Sequence, residues 1–474
     1  MADRDTQSRL RALPAISELL DAPAAQTWLE QWPRSTVVAA LQAAVARARQ
    51  NILTGRDGAD EPALLAQAEH ELARLGRHRL RRVLNATGIV LHTGLGRAPL
   101  AEAAIDAVAD VAAGYSNLEV DLTTGSRGHR GQHAVELFRQ LTGAEDVAIV
   151  NNNAAATLLV LNTLAEGREV IVSRGQLIEI GGAFRLPDIM AKSGAVLREV
   201  GTTNRTRLDD YAAAIGENTA LLLSVHTSNY RVVGFTESVA TAALVSLAAK
   251  HGLPVYDDLG SGAMFDLTTL GLPGEPHLRE RLAVGADVLT FSGDKLFGGP
   301  QAGIIAGKKP ILARLRRNPL MRAFRVDKLT LAALEATLQL YRDERTASSA
   351  VPALAMLAAD PDCLRRRAET LRAKLMSILP AETFDVADDV SYAGGGSLPE
   401  KAFPTQVVRW QPTTRSPDQV AAALRTHEPA VVVRIHDDRV LFDVRTLRDD
   451  ELDQLTIAVH AALMPHAPTS LEGV

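Results

Sequence analysis

Between residues 147 and 306 the chain alternates short β-rich runs with longer helical ones, and this alternation limits the possible folds more than any other feature. The runs are Val147–Val150, Glu169–Ser173, Val196–Val200, Ala220–His226, Val255–Asp257, Asp287–Phe291 and Gly303–Ala306. Helical stretches separate most of them. Strands linked through helices predict an α/β layer around a mainly parallel sheet. In such sheets ligands sit beyond the carboxyl ends of the strands. The residues that follow each run are therefore the first place to look for chemistry.

The flanks read differently. Residues 1–84 place apolar side chains at helical spacing around Leu13–Leu20, Val37–Ile52 and Leu64–Leu80, with a turn at Gly55–Glu61. Helical sequence from Leu329 to Leu379 leads to two alternating runs, Val431–Ile435 and Val440–Val444, joined around His436–Arg439 as a β-hairpin. The expected organisation is an N-terminal helical module with its linker over 1–84, a catalytic core over 85–335 and a small α+β domain over 336–474. A chain of 474 residues is long enough for two or three such units.

The run Asp287–Phe291 leads straight into Ser292-Gly-Asp-Lys295-Leu-Phe-Gly-Gly-Pro-Gln-Ala-Gly303. A lysine just beyond a buried strand suits a Schiff base, because desolvation lowers its pKa and frees the amine to attack an aldehyde. The chain has only eight lysines against 43 arginines, and of these only Lys295 follows a buried strand. The aldehyde this pattern implies is pyridoxal 5'-phosphate, with the Ser292 hydroxyl available to its phosphate.

Such a site needs further parts. A phosphate cup requires backbone N–H groups at a helix start among small side chains. Asn151-Asn152-Asn153-Ala154-Ala155-Ala156-Thr157 supplies that pattern, and an ordinary Asn-capped helix fits the same residues. Val255-Tyr-Asp257-Asp258-Leu-Gly ends a strand in carboxylates, one of which can pair with the pyridinium nitrogen. Strand alternation points only one of them at the ring, and Asp257 is favoured. Asn229 or Ser228, after the strand ending at His226, is the candidate donor to the ring hydroxyl. His226 is either a ring-stacking group or a structural histidine. Arg97 in Thr93-Gly-Leu-Gly-Arg-Ala-Pro99, with Arg322 and Arg325, offers forks for a phosphate-like or carboxylate group. A spacing of three places Arg322 and Arg325 on one helical face, which also fits a solvated basic face.

Other chemistries find no support. The single cysteine, Cys363, excludes an internal disulfide framework and a cysteine-based metal site. His129 and His133 lack the glutamate of a metal-binding helix, so no metal is expected. No apolar run approaches a membrane span, and the opening Met-Ala-Asp-Arg-Asp has no apolar signal region, so a cytoplasmic protein without a membrane partner is expected. With a net charge of −5, a polyanion must be met by a local patch.

Longer stretches carry a family resemblance. They include Leu13-Pro-Ala-Ile-Ser-Glu-Leu-Leu20, Arg82-Val-Leu-Asn-Ala-Thr-Gly-Ile-Val-Leu-His-Thr-Gly-Leu-Gly-Arg-Ala-Pro99, Glu179-Ile-Gly-Gly182, Gly201-Thr-Thr-Asn-Arg205, His226-Thr-Ser-Asn-Tyr230, Asp257-Asp-Leu-Gly-Ser-Gly262 and Phe291–Gly303. In these the chain resembles the bacterial L-seryl-tRNA(Sec) selenium transferases, the selenocysteine synthases. The resemblance implies an aspartate-aminotransferase-like (fold type I) PLP enzyme. It also implies conversion of L-seryl-tRNA(Sec) to L-selenocysteinyl-tRNA(Sec), by elimination of the serine hydroxyl and addition of selenide from selenophosphate. By the same resemblance Lys295 shuttles the proton, Asp294 assists it, and Arg97, Arg322 and Arg325 bind selenophosphate. The phosphate cup is then Asn152, Asn153, Ala154 and Ala155. A homo-oligomer of dimers assembled into a ring is also implied, with no DNA partner.

A tRNA substrate gives the first 84 residues a purpose, since structured RNA is read by shape and phosphates. Arg74, Arg77, Arg79, Arg81 and Arg82 form a basic run, and Arg47, Arg49 and Arg56 a second group. The same module fits a role in oligomer packing alone. The alternative activity is a PLP-dependent lyase acting on a small phosphorylated amino acid or amino sugar, which the arginines suit equally.

Overall fold

The structure is a computed structural model that describes residues 2–56, 58–76, 78–181 and 184–463. They divide into two compact units, one ending at Arg82 and the other beginning at Val83.

The first unit is helical: α1 (Ala2–Arg11), α2 (Ile16–Asp21), α3 (Pro23–Gln31), α4 (Arg34–Leu53) and α5 (Glu61–Gly76). On α4 the buried residues Val37, Leu41, Ala44 and Ala48 recur at steps of four and three, and on α5 Leu64, Ala68 and Leu72 recur at four. These stripes join Leu19 and Trp28 in one apolar core. Helix α5 ends at Gly76, short of the expected Leu80, where a side chain would strike the Trp32 ring. Arg79, Arg81 and Arg82 therefore follow the helix rather than lie along it, and Arg77 lies outside the described residues. Glu71 holds both Arg47 and Arg74, at 3.1 and 2.8 Å.

The second unit contains fourteen described strands. They are β1 (Val83–Ala86), β2 (Asp146–Val150), β3 (Glu169–Ser173), β4 (Glu179–Ile180), β5 (Phe184–Arg185), β6 (Val196–Val200), β7 (Thr219–Val225), β8 (Val255–Gly260), β9 (Val288–Ser292), β10 (Gly303–Gly307), β11 (Phe384–Gly394), β12 (Ser397–Trp410), β13 (Ala430–His436) and β14 (Arg439–Asp443). Seven of them form one sheet in the order β2-β10-β9-β8-β7-β3-β6. All its neighbours pair in parallel except β10, which is antiparallel to β9 and β2. The link from Ser292 to Gly303 carries no crossover helix, so β10 must return beside β9 in the opposite sense. Strands β7, β9 and β10 are buried along their whole length, as expected of a sheet covered on both faces. This is the fold type I architecture of PLP-dependent enzymes.

A second sheet runs β1-β13-β14-β12-β11. Strand β1 pairs in parallel with β13, so the segment that opens the second unit belongs to the sheet of the C-terminal strands. Leu84, Trp410, Phe442, Leu371 and Leu424 share its core. The expected hairpin is present as β13 and β14, with His436 opposite Arg439. Strands β11 and β12 carry Asp385, Asp388, Asp389, Pro399 and Pro404, residues that read poorly as strand.

Candidate active site

Strand β9 ends at Ser292, and a tight turn then presents Lys295. Backbone bonds brace that turn: the Gly293 N–H donates to the Ala302 carbonyl at 2.8 Å and the Leu296 N–H to the Ser261 carbonyl at 2.9 Å. Gly262 packs behind it, and a Cβ there would stand 2.6 Å from the Ser292 carbonyl oxygen. Lys295 is 4% exposed. Burial first, and next the positive charge of Arg97, holds its amine below the usual lysine range, against the opposing pull of Asp258, Asp294 and Glu275. A buried amine biased towards its neutral form is a competent nucleophile for an aldehyde.

Strand β8 points its two aspartates to opposite faces, and the face turned to the lysine is the one not favoured from sequence. Asp257 lies 3.6 Å from Arg281 Nη1 and 3.4 Å from Thr241 Oγ1. It lines a polar cavity of about 340 Å³ together with Ser224, Gln176 and Asn204. Asp258 instead accepts hydrogen bonds from Asn153 Nδ2 at 2.9 Å and the Gly260 N–H at 3.1 Å, and its charge acts on Lys295. The expected alternation is present, and Asp258 is the carboxylate whose charge acts on Lys295. Burial pushes both carboxyls above their usual range.

The helix Asn153–Ala165 starts directly after β2. Asn152 caps it, its side chain accepting from the Ala155 N–H at 2.8 Å. The cap and the proposed cup are therefore the same structure: the first-turn N–H groups at Asn153 and Ala154 lack helical acceptors whether or not an anion sits there. Gly303 passes so close to the Asn152 carbonyl that no side chain fits. Asn153 spends its amide N–H on Asp258, while its Oδ1 is buried without a partner.

After β7, Asn229 donates to the Glu179 carbonyl at 2.8 Å, whereas Ser228 is buried with a hydroxyl that has no partner. Of the two candidate donors, Ser228 is thus the uncommitted one. His226 Nε2 stands 3.6 Å from Glu275 Oε1, and neither atom has a hydrogen bond. Gly182 of the Glu179–Gly182 stretch lies outside the described residues.

Arg97 reaches the lysine turn through its neighbour. Its Nη1 lies 2.7 Å from Asp294 Oδ2, and the Ala98 N–H bonds the Asp294 carbonyl at 3.3 Å. Arg97 adopts a left-handed backbone, φ 64°, directly after Gly96 at φ 92°. The other two arginines do not share a helical face. The helix Leu320–Ala323 holds Arg322 and stops before Arg325, because the Phe324 carbonyl is turned to accept the Asn151 N–H at 2.9 Å. Both side chains are exposed, beside the segment that starts the phosphate-cup helix.

The residues present fit pyridoxal phosphate. An amine for the aldehyde, a carboxylate for the ring nitrogen and a helix N-terminus for the phosphate converge. Around them Asn153 Oδ1, Ser228 Oγ, Ser261 Oγ and Ser397 Oγ are buried without partners. Glu275, Ser261 and the glycine run Gly394–Gly396 were missed from sequence. Only the glycine run carries a local signal, three glycines in succession. Among the described residues no cluster of His, Cys, Asp or Glu is placed to hold a metal ion, and no helix is long and apolar enough to cross a membrane.

Known proteins match this arrangement. A family profile described as L-seryl-tRNA selenium transferase matches residues 83–448, and one described as the selenocysteine synthase N terminus matches residues 10–49. The L-seryl-tRNA(Sec) selenium transferase of Solidesulfovibrio magneticus is 50% identical over 97% of this chain and 99% of its own. That of Carboxydothermus hydrogenoformans is 50% identical over 94% and 96%. Among solved structures, a D-glucosaminate-6-phosphate ammonia-lyase covers 83% of this chain and 97% of its own at 22% identity, with a TM-score of 0.56, a likeness of fold alone. Sharing half its residues with these transferases over nearly its whole length, the chain belongs to the L-seryl-tRNA selenium transferase family.

Proposed function

We propose that this protein converts L-seryl-tRNA(Sec) to L-selenocysteinyl-tRNA(Sec) with selenophosphate as selenium donor, replacing the serine hydroxyl at Cβ with selenium. The observation that carries this reading is the Arg97–Asp294–Lys295 cluster. It sets a buried amine beside a guanidinium, so that proton transfer and anion binding meet at one turn. Pyridoxal phosphate, when bound, supplies the electron sink that makes the serine Cα acidic.

The chain's own residues do the rest. Lys295 Nζ would hold the cofactor, and as a free amine it is placed to take the proton from the substrate Cα as the Cβ hydroxyl leaves as water, and to supply a proton to Cα after selenium has added with release of the donor's phosphate. Asp258 holds the proton on the ring nitrogen. The N–H groups at Asn153 and Ala154, with the Ser292 hydroxyl, would receive the phosphate, and Asn152 and Ala155 hold that turn through their cap bond. Ser228, with Asn229 beside it, orients the ring hydroxyl. Asp294 orients Arg97 and steadies the protonated lysine. Arg97, Arg322 and Arg325 collect the selenophosphate, a small dianion suited to guanidinium forks. The first unit contacts the tRNA body, and the protein works as a cytoplasmic homo-oligomer of dimers. The N-terminal family match and the basic groups beyond α5 support that part.

The test is the visible absorption of the purified protein titrated with seryl-tRNA(Sec), seryl-tRNA(Ser) and small phosphorylated amino acids. A band shift with seryl-tRNA(Sec) alone is expected. A shift only with a small amino compound replaces the transferase reading with a lyase.

A further inference from the structure

Three buried hydroxyls gather at Asp258. Tyr256, two residues earlier on β8, faces the same side of the sheet. Thr290 is the residue registered against Asp258 on β9. Thr157 lies in the helix Asn153–Ala165, where every other buried side chain is apolar. Tyr256, Thr157 and Thr290 are all 0% exposed. At such depth a polar group costs free energy unless it is bonded.

The three are wired to the carboxylate. Tyr256 Oη donates to Thr157 Oγ1 at 3.1 Å and lies 2.8 Å from Thr290 Oγ1. Thr157 Oγ1 lies 3.3 Å from Asp258 Oδ2 and 3.0 Å from the Asn153 carbonyl, one turn back in its helix. Thr290 is a further donor to Asp258. Burial pushes the Tyr256 phenol well above its usual range, so it keeps its proton. A phenol has one proton to give, and either threonine that takes it can turn its own towards Asp258. Both routes end on the carboxylate, the strongest acceptor of the group.

The two oxygens of Asp258 are not equivalent. Oδ1 is engaged by Asn153 Nδ2 at 2.9 Å and the Gly260 N–H at 3.1 Å. Oδ2 is the oxygen that Thr157 reaches, and it has capacity left for a ring N–H. Its direction matters, because a carboxylate turned away from the ring nitrogen would weaken the electron sink.

We propose that Tyr256 is a positioning residue of the reaction, its phenol holding Asp258 Oδ2 in place for the ring nitrogen through Thr157 and Thr290. This rests on the reading of Asp258 as the carboxylate paired with that nitrogen, and adds the group that orients it.

The test compares Tyr256→Phe, Thr157→Val, Thr157→Ser, Asp258→Asn and the double variant Tyr256→Phe/Asp258→Asn with the wild type. Each apo-protein is titrated with pyridoxal phosphate by its visible band, Tm is measured, and conversion of seryl-tRNA(Sec) is assayed. Tyr256→Phe and Thr157→Val should each weaken cofactor binding and lower kcat by about tenfold, with KM for the seryl-tRNA within about twofold. Thr157→Ser, which keeps the hydroxyl, should stay within about threefold of the wild type. In the Asp258→Asn background Tyr256→Phe should add less than about twofold, because the group it orients is already lost. The same loss with and without Asp258 assigns the phenol to packing and overturns the proposal, as does wild-type cofactor affinity and kcat in Tyr256→Phe. Should Tyr256→Phe fail to fold, equal behaviour of Thr157→Val and Thr157→Ser overturns it instead. A defect in Asp258→Asn with none in Tyr256→Phe defeats the relay alone, whereas wild-type cofactor affinity and turnover in Asp258→Asn defeats the ring-nitrogen reading itself.

Discussion

Arg97 and Asp294 are joined by a 2.7 Å ion pair although 197 positions separate them, and Asp294 is the residue immediately before the buried Lys295. The pair therefore fixes the position of the lysine turn and supplies the charge that lowers the amine's pKa most after burial.

Replacing Arg97 with alanine removes that positive charge and leaves Asp294 unpaired, and both changes favour protonated Lys295. The apo-protein should then take up pyridoxal phosphate with a pH profile displaced to higher pH. Selenium transfer should fall by on the order of 10²-fold through the lost anion site. Arg97→Lys should not restore it, because a point charge does not reproduce the fork. An unchanged uptake profile would show that the guanidinium does not tune the amine.

Lys295→Ala should abolish covalent cofactor attachment, read as the absence of a borohydride-fixed adduct in the protein mass, and retention of full turnover would refute its role. Lys295→Met tests the burial cost in the apo-protein. The folded pKa lies below the unfolded value, so the unfolded state binds more protons in the interval between them, and stability rises with pH across it. Below the folded pKa the native state bears the whole cost of a buried charge, about 1.4 kcal/mol for each unit of depression. The Met variant should therefore be the more stable in urea at neutral pH, and its advantage should shrink as pH approaches the unfolded lysine value.

Much of this site was legible in the sequence because strands in a covered sheet are continuous apolar runs. All seven runs of the large sheet fall within a few residues of their expected ends. What was not legible depended on tertiary phase. Alternation sends Asp257 and Asp258 to opposite faces, but what each meets there is set by Arg281 and Asn153, which no local pattern brings to them. The spacing of Arg322 and Arg325 implied a shared helical face, and a backbone bond from Asn151 ends that helix between them. The ribbon β11–β12 was invisible because its acids and prolines are disfavoured in strands, while the contacts that hold it, through Ala393, Leu398 and Phe403, join it to the core from far along the chain.

The two aspartates of β8 should separate cleanly on mutation. Asp258→Asn keeps the shape but cannot hold the ring proton, so turnover should drop by on the order of 10²-fold or more, with weaker cofactor retention. Asp257→Asn, on the far face beside Arg281 and Thr241, should leave turnover within a few-fold and act chiefly on stability. A larger catalytic loss from Asp257→Asn than from Asp258→Asn would return the ring contact to Asp257.

Removal of residues 1–82 tests the remaining unit, which has its own apolar core and ends where the second unit begins. The truncated protein should keep its cofactor band and lose tRNA(Sec) affinity by about tenfold or more, measured by equilibrium binding at fixed salt. Arg47 and Arg74 are both tied to Glu71, which limits what they can offer a phosphate. Glu71→Gln, which frees both guanidinia, should then tighten binding and steepen its salt dependence. If truncation leaves tRNA affinity and its salt slope unchanged, the helical unit serves assembly rather than RNA, and recognition of the tRNA body must lie in the unit that carries Lys295.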